Sequence, residues 1–366
     1  MNQITEYVNL KKNYELYSDE YEDAVKRVLK SGWYILGPEL EEFEKKFSDY
    51  LGRKHCIGLN SGTDALILGI RALGIGPGDE VIVPAGTYIA SVLGITENGA
   101  IPVFVDSTPD TLLIDTNKIE NVITPKTKAI LPVHLYGQTC NMDAIMSLAD
   151  RYKLYVLEDC AQCHGSTWDG RKAGTLGTLS AFSFYPTKPL GAFGDAGAVV
   201  TDDDELADKL RMLRNYGSRL KYHNESIGVN SRMDEMQAAI LSVGLNHLDE
   251  MNSLRELIAN KYLSGINSTK VRLPITDDKA TNVFHLFPVL VDDQEQFQSY
   301  LSSKGIKTQI HYPIPPYVAE CYYDLHYQWD DYPNAGYIAR HEVSLPIYSG
   351  MSIEEVDYVI EMINQY

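Results

Sequence analysis

A chain of 366 residues exceeds the size at which single cores stop growing, so a large domain with a smaller companion is expected. With 44% hydrophobic and 22% charged residues it is neither disordered nor fibrous, and a net charge of −18 without a basic run excludes nucleic acid as a partner. Met1 to Tyr7 shows no signal-peptide pattern and no apolar stretch approaches about 18 residues, so the expected setting is cytoplasmic, with no membrane; five cysteines there make no disulfide framework.

Taken in chain order, residues 60–200 alternate helical stretches with short apolar, β-branched runs, the pattern of a mainly parallel sheet covered by helices. Helices are predicted at 62–73, 88–98 and 141–152, with a further one at 203–214. Strands are predicted at 80–84, 102–105, 129–133, 154–157, 181–184 and 198–201. A long helical pattern then runs from Met233 to about Leu263, interrupted only by Gly244. After it come an apolar run at 284–291, a helix near 294–304, a short strand at 307–310 and a last helix at 352–364, an α+β region of its own. The division is expected as 1–248 and 249–366.

Three stretches carry chemistry. In Asn60-Ser-Gly-Thr-Asp-Ala-Leu66 small and capping residues stand where an apolar helix begins, so the free N–H groups there suit a phosphate or simply an N-cap. In Leu154-Tyr-Val-Leu-Glu-Asp159 an acidic side chain leaves the carboxyl end of a buried strand, where open α/β sheets place their ligand crevice. Asp159 there either caps the next turn or faces a cation, and a protonated cofactor ring nitrogen is one such cation. In Ser180 to Gly197 a lone Lys188 follows an aromatic strand and precedes Gly191, Gly194 and Gly197; burial would lower its pKa as a Schiff-base nucleophile requires.

Cys160-Ala-Gln-Cys163-His164 also matches the C-x-x-C-H of covalent haem attachment, and its cysteines could form a thiol redox pair. Without an export signal the haem reading fails, and the neighbouring letters offer cofactor contacts instead. His134 and His164 show no ligand spacing beside a carboxylate, so no metal is expected.

In these motifs, and in Gly76-Pro-Gly-Asp-Glu-Val81, Leu131-Pro-Val-His-Leu-Tyr-Gly137, Ser183 to Lys188 and Gly228-Val-Asn-Ser-Arg-Met-Asp-Glu235, the sequence resembles the DegT/DnrJ/EryC1/StrS sugar aminotransferases. The resemblance runs from Trp33 to Pro346. It implies the type I fold of pyridoxal-phosphate enzymes, with a mainly parallel seven-stranded sheet in the large domain and a smaller α+β C-terminal domain. It further implies that Lys188 is the Schiff-base lysine and proton shuttle, that Asp159 holds the ring nitrogen and that Gln162 contacts the ring oxygen. Tyr88 would stack on the ring, and Gly62, Thr63 and Ser183 would bind the phosphate of pyridoxal 5'-phosphate, or of pyridoxamine phosphate in the half-reaction. Asn230 would reach the phosphate of a neighbouring subunit in a homodimer with shared active sites. Tyr185, His311 and Tyr312 would face the substrate. Family members that dehydrate carry histidine in place of the lysine, so transamination is implied, with L-glutamate as donor. The acceptor is a nucleotide-linked keto sugar, closest to C3 of a dTDP-3-keto-6-deoxyhexose, the alternative being C4 of a dTDP- or UDP-4-keto sugar.

Overall fold

The computed structural model describes residues 5–366. Three helices that the sequence reading left unassigned come first, Leu10–Glu15, Ser18–Ser31 and Pro38–Leu51. The latter two stop at Gly32 (φ 65°) and Gly52 (φ 74°), a left-handed conformation that glycine adopts without a Cβ penalty. Leu40, Phe43 and Phe47 then bury one face of the third helix against Ala238 and Leu241 of the helix Glu235–Asn246.

The large sheet has seven strands: β1 (His55–Leu59), β2 (Glu80–Pro84), β3 (Ile101–Val105), β4 (Thr127–Ile130), β5 (Tyr155–Asp159), β6 (Leu179–Ser183) and β7 (Gly197–Thr201). Their spatial order is β1-β7-β6-β5-β4-β2-β3. From β6 to β3 every pairing is parallel, and β7 alone runs against its neighbours β6 and β1. Helices cover the faces, so strands such as β7 are buried at every residue and read as continuous apolar runs. The expected mainly parallel seven-stranded α/β architecture is what the chain adopts.

Two expectations are corrected in the second region. The single helix from Met233 is two, Glu235–Asn246 and Leu248–Gly265, and the break falls at His247 (φ −110°, ψ 4°), not at Gly244. The His247 ring stacks on Tyr17 at 3.7 Å and bonds Glu20 at 3.0 Å, contacts to the N-terminal helices that hold the break in place. The strand expected at 307–310 is reduced to a single bridge between Gln309 and Ser344, because Pro313, Pro315 and Pro316 immediately after it cannot donate to a ladder.

What remains is a three-stranded antiparallel sheet of Val271–Arg272, Phe287–Val291 and Glu342–Leu345. The helices Gln294–Ser303 and Ile353–Asn364 accompany it, the second started by a capping box of Ser352 and Glu355. Its core of Ile258, Phe287, Val289, Phe297, Val343 and Val359 is separate from the one around the large sheet. No helix among the described residues is long and apolar enough to cross a membrane.

Candidate active site

The carboxyl ends of β5 and β6, the start of the helix Gly62–Ala72, the N-terminal segment 6–8 and the stretch 298–312 enclose one cavity of about 1360 Å³. A pocket for a single small ligand is roughly 300–1,000 Å³, so this one has room for two molecules side by side. Ten of the eleven expected site residues line it: Gly62, Thr63, Tyr88, Asp159, Gln162, Ser183, Tyr185, Lys188, His311 and Tyr312. Asn230 does not; it is exposed, and its backbone bridges Asn215.

One end of the cavity is built from backbone. The Ser61 hydroxyl caps the helix by accepting the Asp64 N–H at 3.1 Å, leaving the first-turn N–H groups of Gly62 and Thr63 without intrahelical acceptors. No side chain fits between this turn and its neighbours. A Cβ on Gly62 would come within 2.4 Å of Ser183, and one on Gly197 within 2.3 Å of Ser61. Two glycines therefore keep the amides bare beside the Ser183 hydroxyl, a concavity suited to a phosphate.

Asp159 ends β5 with its side chain 4% exposed. The Ser91 hydroxyl donates to Oδ2 at 2.8 Å and the Ala161 N–H to Oδ1 at 3.1 Å, while Thr87 lies 2.9 Å behind Ser91. Burial raises the Asp159 pKa against these hydrogen bonds, and no cationic side chain pairs with it directly. A buried carboxylate facing a cavity, with no side-chain cation paired to it among the described residues, fits the protonated nitrogen of a pyridine ring. Thr87 and Ser91 were missed in the sequence; the only signal was their i, i+4 spacing at the start of the helix Ile89–Thr96.

Lys188 stands opposite, on a tight turn where its N–H bonds the Tyr185 carbonyl at 2.8 Å. Gly191 permits this turn, since a Cβ there would meet the Pro186 carbonyl oxygen at 2.6 Å. Burial lowers the Lys188 pKa to about 8, with the Asp159 charge opposing the shift, so the amine gains a neutral fraction near physiological pH.

Gln162 joins the two sides of the cavity. Its Oε1 accepts the Tyr136 N–H at 2.6 Å, and its amide donates to the Tyr312 hydroxyl at 3.1 Å. Tyr136 has φ 64°, a strained value for a non-glycine residue, and its hydroxyl donates to the His311 carbonyl at 2.8 Å. Tyr88, half exposed, faces Tyr312 with ring centroids 4.9 Å apart. Burial and the Lys188 charge press the His311 pKa down to about 4, so the ring is neutral; its Nδ1 meets the Ser344 hydroxyl at 2.9 Å.

Cys160 and Cys163 are free thiols with no exposed surface, and burial pushes the Cys160 pKa well up, away from redox reactivity. His164 is packed near Phe182 and Phe184, each ring centroid 5.5 Å away. The fold does bring one ligand-type group together, His134 with Cys160 and Cys163, their ligand atoms within 4.8 Å of one another. Both His134 nitrogens are engaged, Nε2 with Glu158 at 3.0 Å and Nδ1 by the Cys140 N–H at 3.0 Å. Glu158 is in turn held by the N–H groups of Gly174, Leu176 and Gly177, which makes this a structural network.

A desolvated lysine facing a buried aspartate at the ends of parallel strands, with bare helix-start amides beside them, defines the class: a type I pyridoxal-phosphate-dependent transferase fold. Within it, the chain belongs to the DegT/DnrJ/EryC1/StrS aminotransferase family, which matches residues 16–364. It is 52% identical, over 96% of both chains, to the dTDP-3-amino-3,6-dideoxy-alpha-D-galactopyranose transaminase of Aneurinibacillus thermoaerophilus. The crystal structure of S. venezuelae DesV in complex with a ketimine intermediate superposes with a TM-score of 0.97 at 47% identity, covering 99% of this chain and 98% of that one. NtdA from Bacillus subtilis, with bound cofactor PMP, superposes at 0.91 and 34% identity over 100% of this chain and 85% of that one.

Proposed function

We propose that this aminotransferase moves an amino group from L-glutamate to C3 of a dTDP-linked 3-keto-6-deoxyhexose, with pyridoxal 5'-phosphate held at Lys188. The observation that carries the reading is the pairing of a buried Asp159 with a Lys188 lowered to about 8 inside one cavity large enough for cofactor and substrate. The choice of C3 on a dTDP sugar is supported by the name of the relative 52% identical to this chain.

The bound cofactor supplies the electron sink for moving the amine. The amides of Gly62 and Thr63 and the Ser183 hydroxyl would bind its phosphate, Asp159 would hold the proton on its ring nitrogen, and Tyr88 would cover a ring face. Gln162, kept in place by its bonds to Tyr136 and Tyr312, would contact the ring oxygen. Lys188 Nζ would carry the proton between the amine-bearing carbon and C4′ of the cofactor, work for which a pKa near the operating pH is suited. Tyr185, His311 and Tyr312 border the space left for the sugar.

Asn230 is exposed and does not line its own cavity, which supports a homodimer in which the residue serves the site of the second copy. The separate core of Ile258, Phe287 and Val359 supports a smaller unit within 249–366, beside a cofactor domain of 1–248, although Leu286, Tyr317, Tyr322 and Ile338 pack with the core of the large sheet. The deciding experiment is single-turnover amination of dTDP- and UDP-linked 3-keto and 4-keto sugars by the protein preloaded with amine from glutamate. Product from the dTDP 3-keto sugar alone is expected; faster amination of a 4-keto sugar overturns the C3 assignment. A protein that shows no cofactor absorbance after addition of pyridoxal phosphate overturns the reading as a whole.

A further inference from the structure

Behind His311 a strand end carries two polar side chains that the chemistry above does not use. Glu342 and Ser344 belong to the strand Glu342–Leu345, and as alternate residues they share one face of it. Gln309 bridges Ser344 in antiparallel register, so two residues further on His311 falls opposite Glu342. The ladder stops there, because the Glu342 carbonyl is taken by the Gln294 amide at 2.6 Å. The His311 N–H goes instead to the Glu342 side chain, Oε2, at 2.6 Å. The other carboxyl oxygen, Oε1, lies 2.5 Å from the Ser344 hydroxyl, which lies 2.9 Å from Nδ1 of the His311 ring. The far ring nitrogen, Nε2, makes no hydrogen bond among the described residues and is not walled in. His311 lines the cavity, so Nε2 is the ring atom left for a ligand.

Counting protons along this chain gives two arrangements. An ionised Glu342 can only accept, so Ser344 donates to it and the Ser344 oxygen accepts the proton of Nδ1; Nε2 then presents a lone pair. A protonated Glu342 donates through Oε1 to Ser344, Ser344 donates on to Nδ1, and the neutral ring carries its proton on Nε2. Passing from the second to the first releases one proton from Glu342 and turns the Ser344 hydroxyl round. The ring gives one proton to water and takes one back, with no net change.

Burial holds the His311 pKa down at about 4, so the ring is neutral in both arrangements, and burial pushes Glu342 up to about 8. Tyr7, Tyr136 and Tyr312 stand around Glu342 with pKa values raised by burial, and keep their protons. His285 is held neutral by burial, and Arg255 beyond it stays charged at neutral pH. Lys188, across the cavity, titrates in the same range as Glu342.

We propose that Glu342 and Ser344 are positioning residues for the sugar: the proton they hold decides whether His311 offers it a donor or an acceptor. The protonated arrangement offers the donor, which suits a carbonyl oxygen that can only accept. This assignment rests on the aminotransferase reading, in which His311 borders the sugar, and adds to it what sets the sense of that contact.

Nitrogen NMR of cofactor-loaded protein carrying isotope-labelled histidine reads the tautomer, with the His311 signals assigned by their loss in His311→Gln. At about pH 6 the proton is expected on Nε2, and at about pH 10 on Nδ1. In Glu342→Gln, whose amide can accept the His311 N–H and donate to Ser344, it should stay on Nε2 at both. Lys188 titrates in both proteins, so the difference between them isolates Glu342. A tautomer that does not change with pH in the parent, or that changes equally in Glu342→Gln, overturns the proposal. Ser344→Ala, which cuts the chain, is expected to raise the half-saturating ketosugar concentration in single-turnover amination by about fivefold to tenfold, with a smaller loss of rate at saturation. An unchanged half-saturation, or a loss confined to the rate, also overturns it. If Ser344→Ala fails to fold, the Glu342→Gln spectra decide alone. Parent protein that takes up no cofactor would instead overturn the aminotransferase reading, so the two failures are distinct.

Discussion

The two sides of the cavity are finished to different degrees. On the large-sheet side, Asp159 is held by Ser91 and Ala161 and backed by Thr87. On the other side, Tyr7, Arg255 and His285 end in bare polar atoms. The difference teaches which polar groups the protein completes by itself: those around Asp159 are arranged in advance, whereas those near His311 include atoms for which the fold supplies no partner.

Breaking the finished side should have the largest effect. Lys188→Ala is expected to slow amination of the ketosugar by at least about 10²–10⁴-fold, read by single-turnover product formation, since it removes the proton carrier; undiminished turnover would reassign the base. Asp159→Ala comes next, expected to weaken cofactor binding by about tenfold to a hundredfold in an absorbance titration, the size of one hydrogen bond to a charged group.

The open side should respond to pH instead. Burial raises Glu342 from 4.5 to about 8, so between those values the folded chain binds more protons than the unfolded one and loses stability as pH rises. Glu342→Gln imitates the protonated form. The buried histidines, His311 among them, gain stability as pH rises to about 6.5 in both proteins, so the quantity to read is the difference: the midpoint of the parent should fall relative to that of the variant across that window, and parallel curves would contradict the shift. The smallest effect is expected where neither side is touched. Cys160→Ala with Cys163→Ala should leave the cofactor spectrum intact and cost about 1 kcal/mol per site in unfolding free energy, as small core truncations do.

The large sheet was legible because its strands are buried on both faces and read as apolar runs between turn signals. β1 escaped, since His55-Cys-Ile-Gly-Leu59 mixes a half-exposed histidine and a glycine into so short a stretch. The cofactor side was legible through linear motifs, the strand-end acid, the lysine and the capped helix start. On the opposite side Tyr185, His311 and Tyr312 were legible through the resemblance and line the cavity, whereas Tyr7, Arg255 and His285 were not, because the want of a partner is a three-dimensional property. A trace of it was present nonetheless. Leu248, Met251, Arg255, Ile258 and Tyr262 form the buried stripe of one helix, and an arginine on such a stripe is a signal that periodicity alone could have raised.

Gln162 has a consequence beyond its place in the cavity wall. One amide bonds both the Tyr136 N–H and the Tyr312 hydroxyl, 150 positions further along the chain. A change at 312 is felt at 162 and, through its carbonyl-bonded neighbour 311, at 136. Across related lineages these four positions are expected to drift together or stay fixed together, so that any exploration of new sugars must pass through a coordinated substitution and not a single one.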